Sequence, residues 1–393
     1  MQLRRCAALL LEPRERAEFE LAGLLRGGTG VVTRMEWLAR APHLPAPVVV
    51  DAGDLPLLGT VGPGDWHNAD ALRSAHGAER VQRLLDAGLL LADAADPARA
   101  ADDAVRGGHW HGLAAVVHGA SRWQDEDAPR SMEAHGVGSA QGLRDRYGPP
   151  PPALRAPVSA NGTVTPLARA ARDGFDALLD ARTTCRNFDT GTTLSQDDFA
   201  RVLERVFGAR ARVDAAPGFE VLKKTSPSGG ALHPTEAWVI VQRVEGVRPG
   251  LYHYRPVEHA LEALPWAGDA AGLHAFARTA VAGQDYFADA HAMVVLAPRF
   301  GRNFWKYRNH AKAYRVVVLD VGHLSQTLQL AATERGLGAF VTAAINEVDI
   351  EQAFGLDACV EGPLAVCGFG VRADTMVKSE LDPNRRVWTR LGD

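Results

Sequence analysis

Lys306 and Tyr307 are adjacent in the chain and form its clearest candidate for acid–base chemistry. A lysine that loses part of its water shell can accept a proton near neutral pH, and a neighbouring phenol can relay or stabilise that proton. The pair precedes a long apolar stretch of helical character. Taken alone, it is more typical of a surface lysine and a half-buried tyrosine at the start of a helix.

A second candidate group is Arg182, Thr184 and Arg186, within the string Arg-Thr-Thr-Cys-Arg-Asn-Phe of residues 182–188. Two guanidinium groups four residues apart, with hydroxyls between them, can bind a phosphate through bidentate hydrogen bonds. The alternative is a pair of solvated arginines that neutralise the end of a helix.

Glycines form a third group, in a loop that runs from 225 to 236 and contains Pro227, Ser228, Gly229 and Gly230. Glycines remove the side chains that would keep the backbone away from a flat ligand. A plain turn before a strand is the alternative. Two further glycines, Gly336 and Gly338, follow the long helix, where a helix cap explains them nearly as well as a ligand contact.

These strings together resemble the nitroreductase superfamily and, within it, the SagB-type peptide-maturation dehydrogenases. The resemblance covers about 166–393 and also includes Gly-Leu-Tyr-His-Tyr at 250–254. It implies a homodimer with FMN at the subunit interface, and a catalytic role for Lys306 and Tyr307. The residues that it implies for FMN are Arg182, Thr184, Arg186, Pro227, Ser228, Gly229, Gly230, Gly336, Gly338, Arg385 and Arg386.

The C-terminal tail departs from the family pattern, because Phe369-Gly370 replaces the usual motif before the basic residues. The phosphate partner there is therefore open among four residues, of which Arg385 and Arg386 are preferred to Arg372 and Lys378. A further family-like element comprises His118, Ser121 and Arg122, and the resemblance gives it no defined role.

The activity implied by the resemblance is two-electron oxidation of a residue in a ribosomally made peptide, with azoline to azole as the preferred reaction. The implied partners are the precursor peptide and a cyclodehydratase or another peptide-modifying enzyme. Two alternatives stay open. One is a small-molecule flavin reductase that uses NAD(P)H, and the other is a non-catalytic FMN-binding scaffold.

Composition narrows the class of protein. The net charge of −4 lacks the basic excess of a nucleic-acid binder, and no apolar run reaches the ~18 residues that a membrane span requires. The four cysteines are scattered without a CxxC motif, which indicates a reducing cytoplasm and no disulfide framework. His109 and His111 have no evident third ligand, so no metal site is predicted.

Four consecutive prolines, Pro149–Pro152, mark a linker over 146–165 that separates an N-terminal domain, 1–145, from a catalytic domain, 166–393. The N-terminal pattern predicts strands at 6–11, 48–51 and 89–91 and helices at 13–25, 69–87 and 112–123. The order of its first elements suggests a winged-helix domain for peptide recognition, and a purely structural α/β extension fits equally well.

The catalytic half mixes strands and helices without a regular βαβ rhythm, which predicts an α+β fold with a mixed, mainly antiparallel sheet. An amphipathic helix is expected at 167–182. The remaining predicted helices lie at 196–206, 272–282, 308–335 and 347–354, and the strands at 236–242, 251–254, 293–297 and 363–370. Apolar residues occur around most of the long helix, which predicts that it is buried.

Overall fold

The computed structural model describes residues 1–156 and 164–388, so 157–163 of the predicted linker lie outside the described residues. Its strands are β1 Gln2–Arg5, β2 Leu10–Phe19, β3 Val31–Arg40, β4 Val48–Val50, β5 His67–Asn68, β6 Leu90–Ala92, β7 Ala211–Ala216, β8 Phe219–Lys223, β9 Thr235–Val241, β10 Gly250–Arg255, β11 Ala260–Ala263, β12 Ala292–Pro298, β13 Gly338–Thr342 and β14 Ala365–Gly370.

The α-helices are α1 Leu21–Leu25, α2 Leu55–Thr60, α3 Ala69–His76, α4 Ala78–Asp86, α5 Pro97–Gly107, α6 Gly112–Ala120, α7 Ala128–Ala134, α8 Ala140–Tyr147, α9 Gly174–Ala181, α10 Gln196–Phe207, α11 Ala270–Ala280, α12 Asp285–Ala288, α13 Phe300–Phe304, α14 Ala313–Glu334 and α15 Glu347–Phe354. Within 1–156 and 164–388, no helix has the length and apolar character needed to cross a membrane.

A six-stranded sheet in the order β11-β10-β9-β12-β14-β13 forms the centre of the C-terminal half, and its neighbouring strands pair antiparallel. Thr184 adds a parallel bridge to Ala339 at the β13 edge. The sheet is therefore mixed and mainly antiparallel, and the predicted α+β fold class is confirmed.

Alternation along the strands builds a core on each face of this sheet, because successive side chains point to opposite sides. Val239 and Val294 face α10 and α14, whereas Ile240 and Met293 face α11, α12 and α15. The resulting three layers hold the strand ends and the helix α14 in fixed relation, and the candidate site is built on them.

The helix predicted at 13–25 is wrong, since most of it is the strand β2, which pairs with β3 along all ten residues. Ion pairs such as Arg40–Glu12 and Arg34–Glu18 cross between the two strands. Charged residues on both faces of this hairpin hide the two-residue period of a strand. The strand predicted at 6–11 is likewise divided, because β1 ends at Arg5 and β2 begins at Leu10.

Two other predicted helices are shorter than expected. The helix at 69–87 is broken into α3 and α4 at Gly77, whose φ of 92° no helix accommodates. The helix at 167–182 begins only at Gly174, because Asp173 accepts hydrogen bonds from the N–H groups of Phe175 and Asp176 and so caps it.

In the single chain the long helix α14 is buried on one side only, and burial of its other side stays a prediction. Val317, Val321, Leu324 and Leu328 pack into the protein core. Val318 and Leu319 are 48% and 61% exposed in the single chain. The exposed strip of α14, defined by Arg315, Val318, Leu319, Gly322, His323 and Gln326, therefore presents apolar surface to solvent.

Candidate active site

The glycine turn, residues 226–230, lies along one side of α14. The hydroxyls of Ser226 and Thr327 are 2.8 Å apart. Further along, the Ser228 hydroxyl and the Gly229 N–H both donate to the Asp320 carboxylate, the latter at 3.1 Å. Three residues of the turn are thereby tied to a single helix.

Asp320 is the residue of this site that sequence reasoning missed as a functional group. It is buried, and burial raises the pKa of its carboxyl, opposed by the hydrogen bonds from Ser228 and Gly229. A lone acidic residue in the apolar stretch of α14 was the available signal. Without a visible partner in the sequence, nothing connected it to a loop some ninety residues earlier.

Neither glycine of the turn has room for a side chain. A Cβ on Gly229 would stand 2.0 Å from Val316 Cγ1, so the turn and α14 are in direct contact. A Cβ on Gly230, whose φ is 66°, would stand 2.6 Å from Lys306 Nζ and 3.0 Å from the Tyr307 hydroxyl. The structure therefore brings the predicted catalytic pair directly onto the predicted cofactor turn.

Lys306 and Tyr307 follow the short helix α13, and their N–H groups donate to the Asn303 carbonyl at 3.2 Å and 3.3 Å. Lys306 is exposed in the single chain, whereas Tyr307 is half-buried. The side-chain amide of Asn303 is fully buried and makes no hydrogen bond within the described residues. A buried side-chain amide without a hydrogen-bond partner is uncommon in a protein core, so the hydrogen bonding at this site is incomplete.

His233 closes the glycine turn, because its N–H donates to the Ser228 hydroxyl at 2.9 Å. Its φ of 44° and the φ of 58° at Ala231 are unfavourable for residues with a side chain. Burial lowers the pKa of the His233 imidazole to about 4, with a contribution from Lys224. Strained backbone of this kind is concentrated at functional sites.

The basic segment, residues 182–188, lies at the β13 edge of the sheet. The N–H of Cys185 donates to the Ala339 carbonyl at 2.8 Å, which fixes the segment beside β13. Arg182 donates to the Gln329 side chain at 3.0 Å, and Arg186 donates to the Ser379 carbonyl at 3.0 Å. The predicted phosphate-binding residues are thus held by α14 on one side and by the C-terminal tail on the other.

Glu380 organises the tail around this segment and was also missed. Its carboxylate is buried and forms an ion pair with Arg372. It accepts three more hydrogen bonds, from the Arg186 N–H, the Asn187 amide and the Trp388 indole. Asn187 binds the tail as well, since its oxygen accepts from the Lys378 N–H at 2.7 Å.

The remaining residues predicted to bind the cofactor are exposed or have another local role in the structure. Arg385 and Arg386 are exposed on the tail, where the Arg386 N–H donates to Asp382 at 2.9 Å. Gly336 has a φ of 72° with no atom near its Cβ position, as a helix cap requires. A Cβ on Gly338 would stand 2.4 Å from the Cys185 sulfur, so that glycine serves close packing. Their contact with FMN stays a prediction.

The glycine turn and the basic segment lie on opposite sides of α14. Asp320 and Gln329 are nine residues apart, which at 3.6 residues per turn is about half a turn out of phase and about 14 Å along the axis. The exposed strip of α14 runs between them. Within one chain the two predicted halves of the cofactor site are therefore adjacent to the same apolar strip rather than to each other.

Comparison with known proteins identifies the family. The profile of the Nitroreductase family matches residues 179–371. The nitroreductase-type protein MJ1384 of Methanocaldococcus jannaschii is 32% identical over 152 residues, which cover 39% of this chain and 72% of that protein. The chain belongs to the nitroreductase family.

Two other relatives are peptide-processing proteins. The trifolitoxin-processing protein TfxB of Rhizobium leguminosarum is 32% identical over 154 residues, and the match spans 37% of this chain but only 39% of TfxB. The microcin B17-processing protein McbC of Escherichia coli is 27% identical over 211 residues, which cover 51% of this chain and 74% of McbC. The solved E. coli microcin synthetase complex McbBCD aligns over 71% of this chain and 95% of its own, with 21% identity and a TM-score of 0.49.

Proposed function

We propose that the protein is an FMN-dependent dehydrogenase that oxidises a residue of a ribosomally synthesised peptide, with azoline to azole as the preferred reaction. The observation that carries the proposal is the contact between the Lys306–Tyr307 pair and Gly230. It joins an acid–base pair to a glycine-containing turn whose backbone can be closely approached, which is the arrangement that we propose for a flavin dehydrogenase. The similarity to two peptide-processing proteins supports a peptide as the substrate.

The residues present fit FMN. Gly229 and Gly230 let the backbone of the glycine turn be approached closely, and the buried Asn303 amide beside it has unused hydrogen-bonding capacity. Arg182, Thr184 and Arg186 would hold the phosphate and ribityl chain, with Arg385 and Arg386 as the proposed contribution of the tail. Pro227, Ser228, Gly229 and Gly230 would lie against the isoalloxazine, with Gly336 and Gly338 as lesser contacts.

In the proposed reaction the azoline ring loses one proton and one hydride, and the ring becomes aromatic. Lys306 accepts the proton from the ring carbon, and the Tyr307 hydroxyl stabilises the resulting charge. Bound FMN would supply the acceptor for the hydride, and dioxygen would take up the electron pair as hydrogen peroxide. Because Lys306 is exposed in the single chain, its water must be displaced by the ligands or by a second subunit.

We further propose that the active form is a homodimer. The exposed strip of α14 lies between the glycine turn and the basic segment, so a second copy seated on it would border both halves of the site. An isologous contact between identical helices is the simplest way to cover such a strip. A Leu319→Glu variant should then elute as a monomer and lose FMN together, whereas Val360→Glu, at an exposed residue elsewhere, should do neither.

The proposed partners are a precursor peptide and a cyclodehydratase or another enzyme that forms the heterocycle first. The N-terminal half, proposed as a domain of residues 1–145 before a linker at 146–165, would contact the peptide leader. A cytoplasmic location fits a protein that acts on a newly made peptide and whose four cysteines are free and buried.

A small-molecule flavin reductase is the second candidate, favoured by the 72% coverage of MJ1384. It predicts rapid reduction of the bound flavin by NAD(P)H and no affinity for peptides. The peptide dehydrogenase predicts slow reduction by nicotinamide and turnover of a heterocyclic peptide.

The test begins with the absorption spectrum of the purified protein and identification of any released cofactor. A yellow protein that releases about one FMN per subunit is then mixed with a synthetic thiazoline peptide, and thiazole is detected by the loss of two hydrogen atoms in mass. Lys306→Ala should slow this oxidation by about 10²–10⁴-fold. Lys312→Ala, at an exposed lysine of the same segment, should not. A colourless protein that cannot be reconstituted with FMN, or full oxidation by Lys306→Ala, would sink the proposal, and the latter would favour a scaffold.

A further inference from the structure

The N-terminal half of the chain reaches the segment that carries Lys306 and Tyr307. The Trp110 ring packs against Phe300 and Phe304, with ring centroids 4.5 Å and 4.7 Å away. Its indole N–H donates to the Cys359 carbonyl at 2.8 Å in a buried bond. A tryptophan outside the predicted catalytic domain therefore forms the surface on which α13 rests.

His118, on α6, is buried in the same cluster and uses both of its ring nitrogens. Nδ1 lies 3.1 Å from the Tyr314 hydroxyl, and Nε2 lies 2.9 Å from the Ala358 carbonyl. The backbone of Gly362 also lies against the ring, because a Cβ on Gly362 would stand 3.0 Å from Nε2.

The directions of these two hydrogen bonds follow from their chemistry. Burial lowers the pKa of His118 to about 4, so the ring is neutral and carries one N–H. The Ala358 carbonyl can only accept, which assigns the hydrogen to Nε2. Nδ1 is then an acceptor, and the Tyr314 hydroxyl must donate to it.

Tyr314 is the second residue of α14, directly after the segment 305–312 that connects α13 to α14. The middle of this segment is also tied to the N-terminal half, since the Asn309 N–H donates to the His109 carbonyl at 3.0 Å. The segment is thus bound at its middle by His109, while Trp110 packs against α13 before it and His118 bonds Tyr314 after it.

We infer that His118 is a positioning residue for Lys306 and Tyr307, which it holds over the glycine turn by fixing Tyr314 and with it the end of segment 305–312. The catalytic meaning of this inference rests on the proposed function. It also gives the His118, Ser121 and Arg122 element a role. The Ser121 hydroxyl donates to the His118 carbonyl at 3.0 Å, and Arg122 forms an ion pair with Glu351, so both fasten the end of α6.

Two amide substitutions at His118 each keep one of the two hydrogen bonds of the ring and remove the other. His118→Asn places its oxygen near the position of Nδ1 and can still accept from Tyr314. His118→Gln reaches the position of Nε2, where it can donate to Ala358, and leaves the Tyr314 hydroxyl without an acceptor. If His118 acts through Tyr314, His118→Gln should resemble Tyr314→Phe, whereas His118→Asn should resemble the unmodified protein.

The experiment is amide hydrogen exchange of the full-length chain, read by mass spectrometry, with these three variants and Val117→Ala, at an exposed residue of the same helix, as the matched control. We expect exchange in peptides covering 303–312 to be about tenfold faster in His118→Gln and Tyr314→Phe, while exchange in β9 and β12 is unchanged. His118→Asn and Val117→Ala should exchange like the unmodified protein. Equal exchange in His118→Asn and His118→Gln, or an increase spread over the whole sheet, would overturn the inference.

A kinetic measurement then links the position of the segment to the reaction. For thiazoline peptide oxidation, His118→Gln should lower kcat about tenfold with KM changed less than twofold, and His118→Asn should restore it. A general loss of folding would lower the amount of active FMN-bound protein instead and leave kcat per bound FMN unchanged. Hydrogen exchange needs no substrate, so failure of the proposed function and failure of this inference give different results.

Discussion

The glycine turn and the basic segment are each fastened to the fold by one buried carboxylate, but the surroundings of the two carboxylates differ. Asp320 receives hydrogen bonds from the Ser228 hydroxyl and the Gly229 N–H, both neutral donors. Glu380 forms an ion pair with Arg372 in addition to its hydrogen bonds from neutral donors. Removing one partner from a buried ion pair leaves a charge uncompensated, whereas a carboxylate held by neutral donors leaves none.

This difference indicates that the two halves of the proposed cofactor site have different tolerance to change. The basic segment depends on an ion pair, so a substitution that breaks this pair should also destabilise the fold around the segment. The glycine turn depends on hydrogen bonds alone, so it can be loosened while the rest of the chain stays folded. Four experiments test this comparison.

The largest effect is expected from Glu380→Ala, which leaves Arg372 unpaired and three other donors unsatisfied. The free energy of unfolding should fall by about 3–5 kcal/mol, as measured by urea denaturation. Glu380→Gln keeps the shape and one acceptor oxygen and should cost less, although it still removes the charge that pairs with Arg372. If Glu380→Ala is as stable as the unmodified chain, the ion pair does not hold the tail.

A smaller effect is expected from Asp320→Ala, which leaves the Ser228 hydroxyl and the Gly229 N–H without an acceptor. The cost should be about 1–3 kcal/mol, felt mainly by the glycine turn, so the Kd for FMN should rise about tenfold with little change in the unfolding midpoint. Asp320→Asn, which keeps one acceptor and the volume, should bind FMN more tightly than Asp320→Ala. An effect on unfolding as large as that of Glu380→Ala would remove the distinction between the two carboxylates.

Gly230 and Gly336 form a matched pair that isolates the contact with Lys306. Their φ angles are 66° and 72°, so an alanine at either position should cost about 1 kcal/mol of backbone strain. Only at Gly230 would the new methyl group also meet Lys306 Nζ and the Tyr307 hydroxyl. Gly230→Ala should therefore lower kcat for peptide oxidation about tenfold, and Gly336→Ala should change stability alone. Equal kcat values would contradict the placement of the pair over the turn.

The smallest effect concerns a half-buried carboxylate, Glu347, which accepts the Trp123 N–H at 2.8 Å. Burial raises the pKa of Glu347 from 4.5 to about 7, so the folded chain disfavours its ionised form. Stability is therefore lost as the pH rises from about 4.5 to about 7, and the loss is complete above that range.

Glu347→Gln removes this titration and should stabilise the protein at pH 8 by on the order of 1 kcal/mol, since the side chain retains some contact with water. At pH 5 the difference should nearly disappear. Thermal unfolding at both pH values measures it, and Glu351→Gln, which breaks the ion pair with Arg122, should destabilise instead. A pH-independent effect of Glu347→Gln would show that the carboxyl is not held in its protonated form.

The catalytic half was largely predictable from the sequence because its signals are local. The alternating strands β9 and β12 and the helices α10 and α15 form close to the predicted limits. The three sequence motifs of the candidate site are also local, and their resemblance to one family connected them. They lie at 182–188, 225–236 and 305–315. The structure places the last two in contact through Gly230, Lys306 and Tyr307.

Contacts between residues that are far apart in the chain could not be predicted from the sequence. The partners of His118 are 196 and 240 residues further along the chain, and Asp320 holds a serine 92 residues before it. Most of strand β2 was predicted as a helix because its charges alternate in sign without leaving one apolar face. Pairings of this kind depend on the folded arrangement rather than on any short pattern.

The packing of Trp110 against Phe300 and Phe304 has a consequence for how the chain can be divided into fragments. A cut at the proline run, which the sequence marks as the natural boundary, would leave Phe300, Phe304 and Tyr314 facing water in an aromatic groove. Such a surface favours aggregation over a soluble catalytic fragment. The two pieces should instead remain soluble when they are produced together, because the N-terminal piece then covers the aromatic groove of the C-terminal piece.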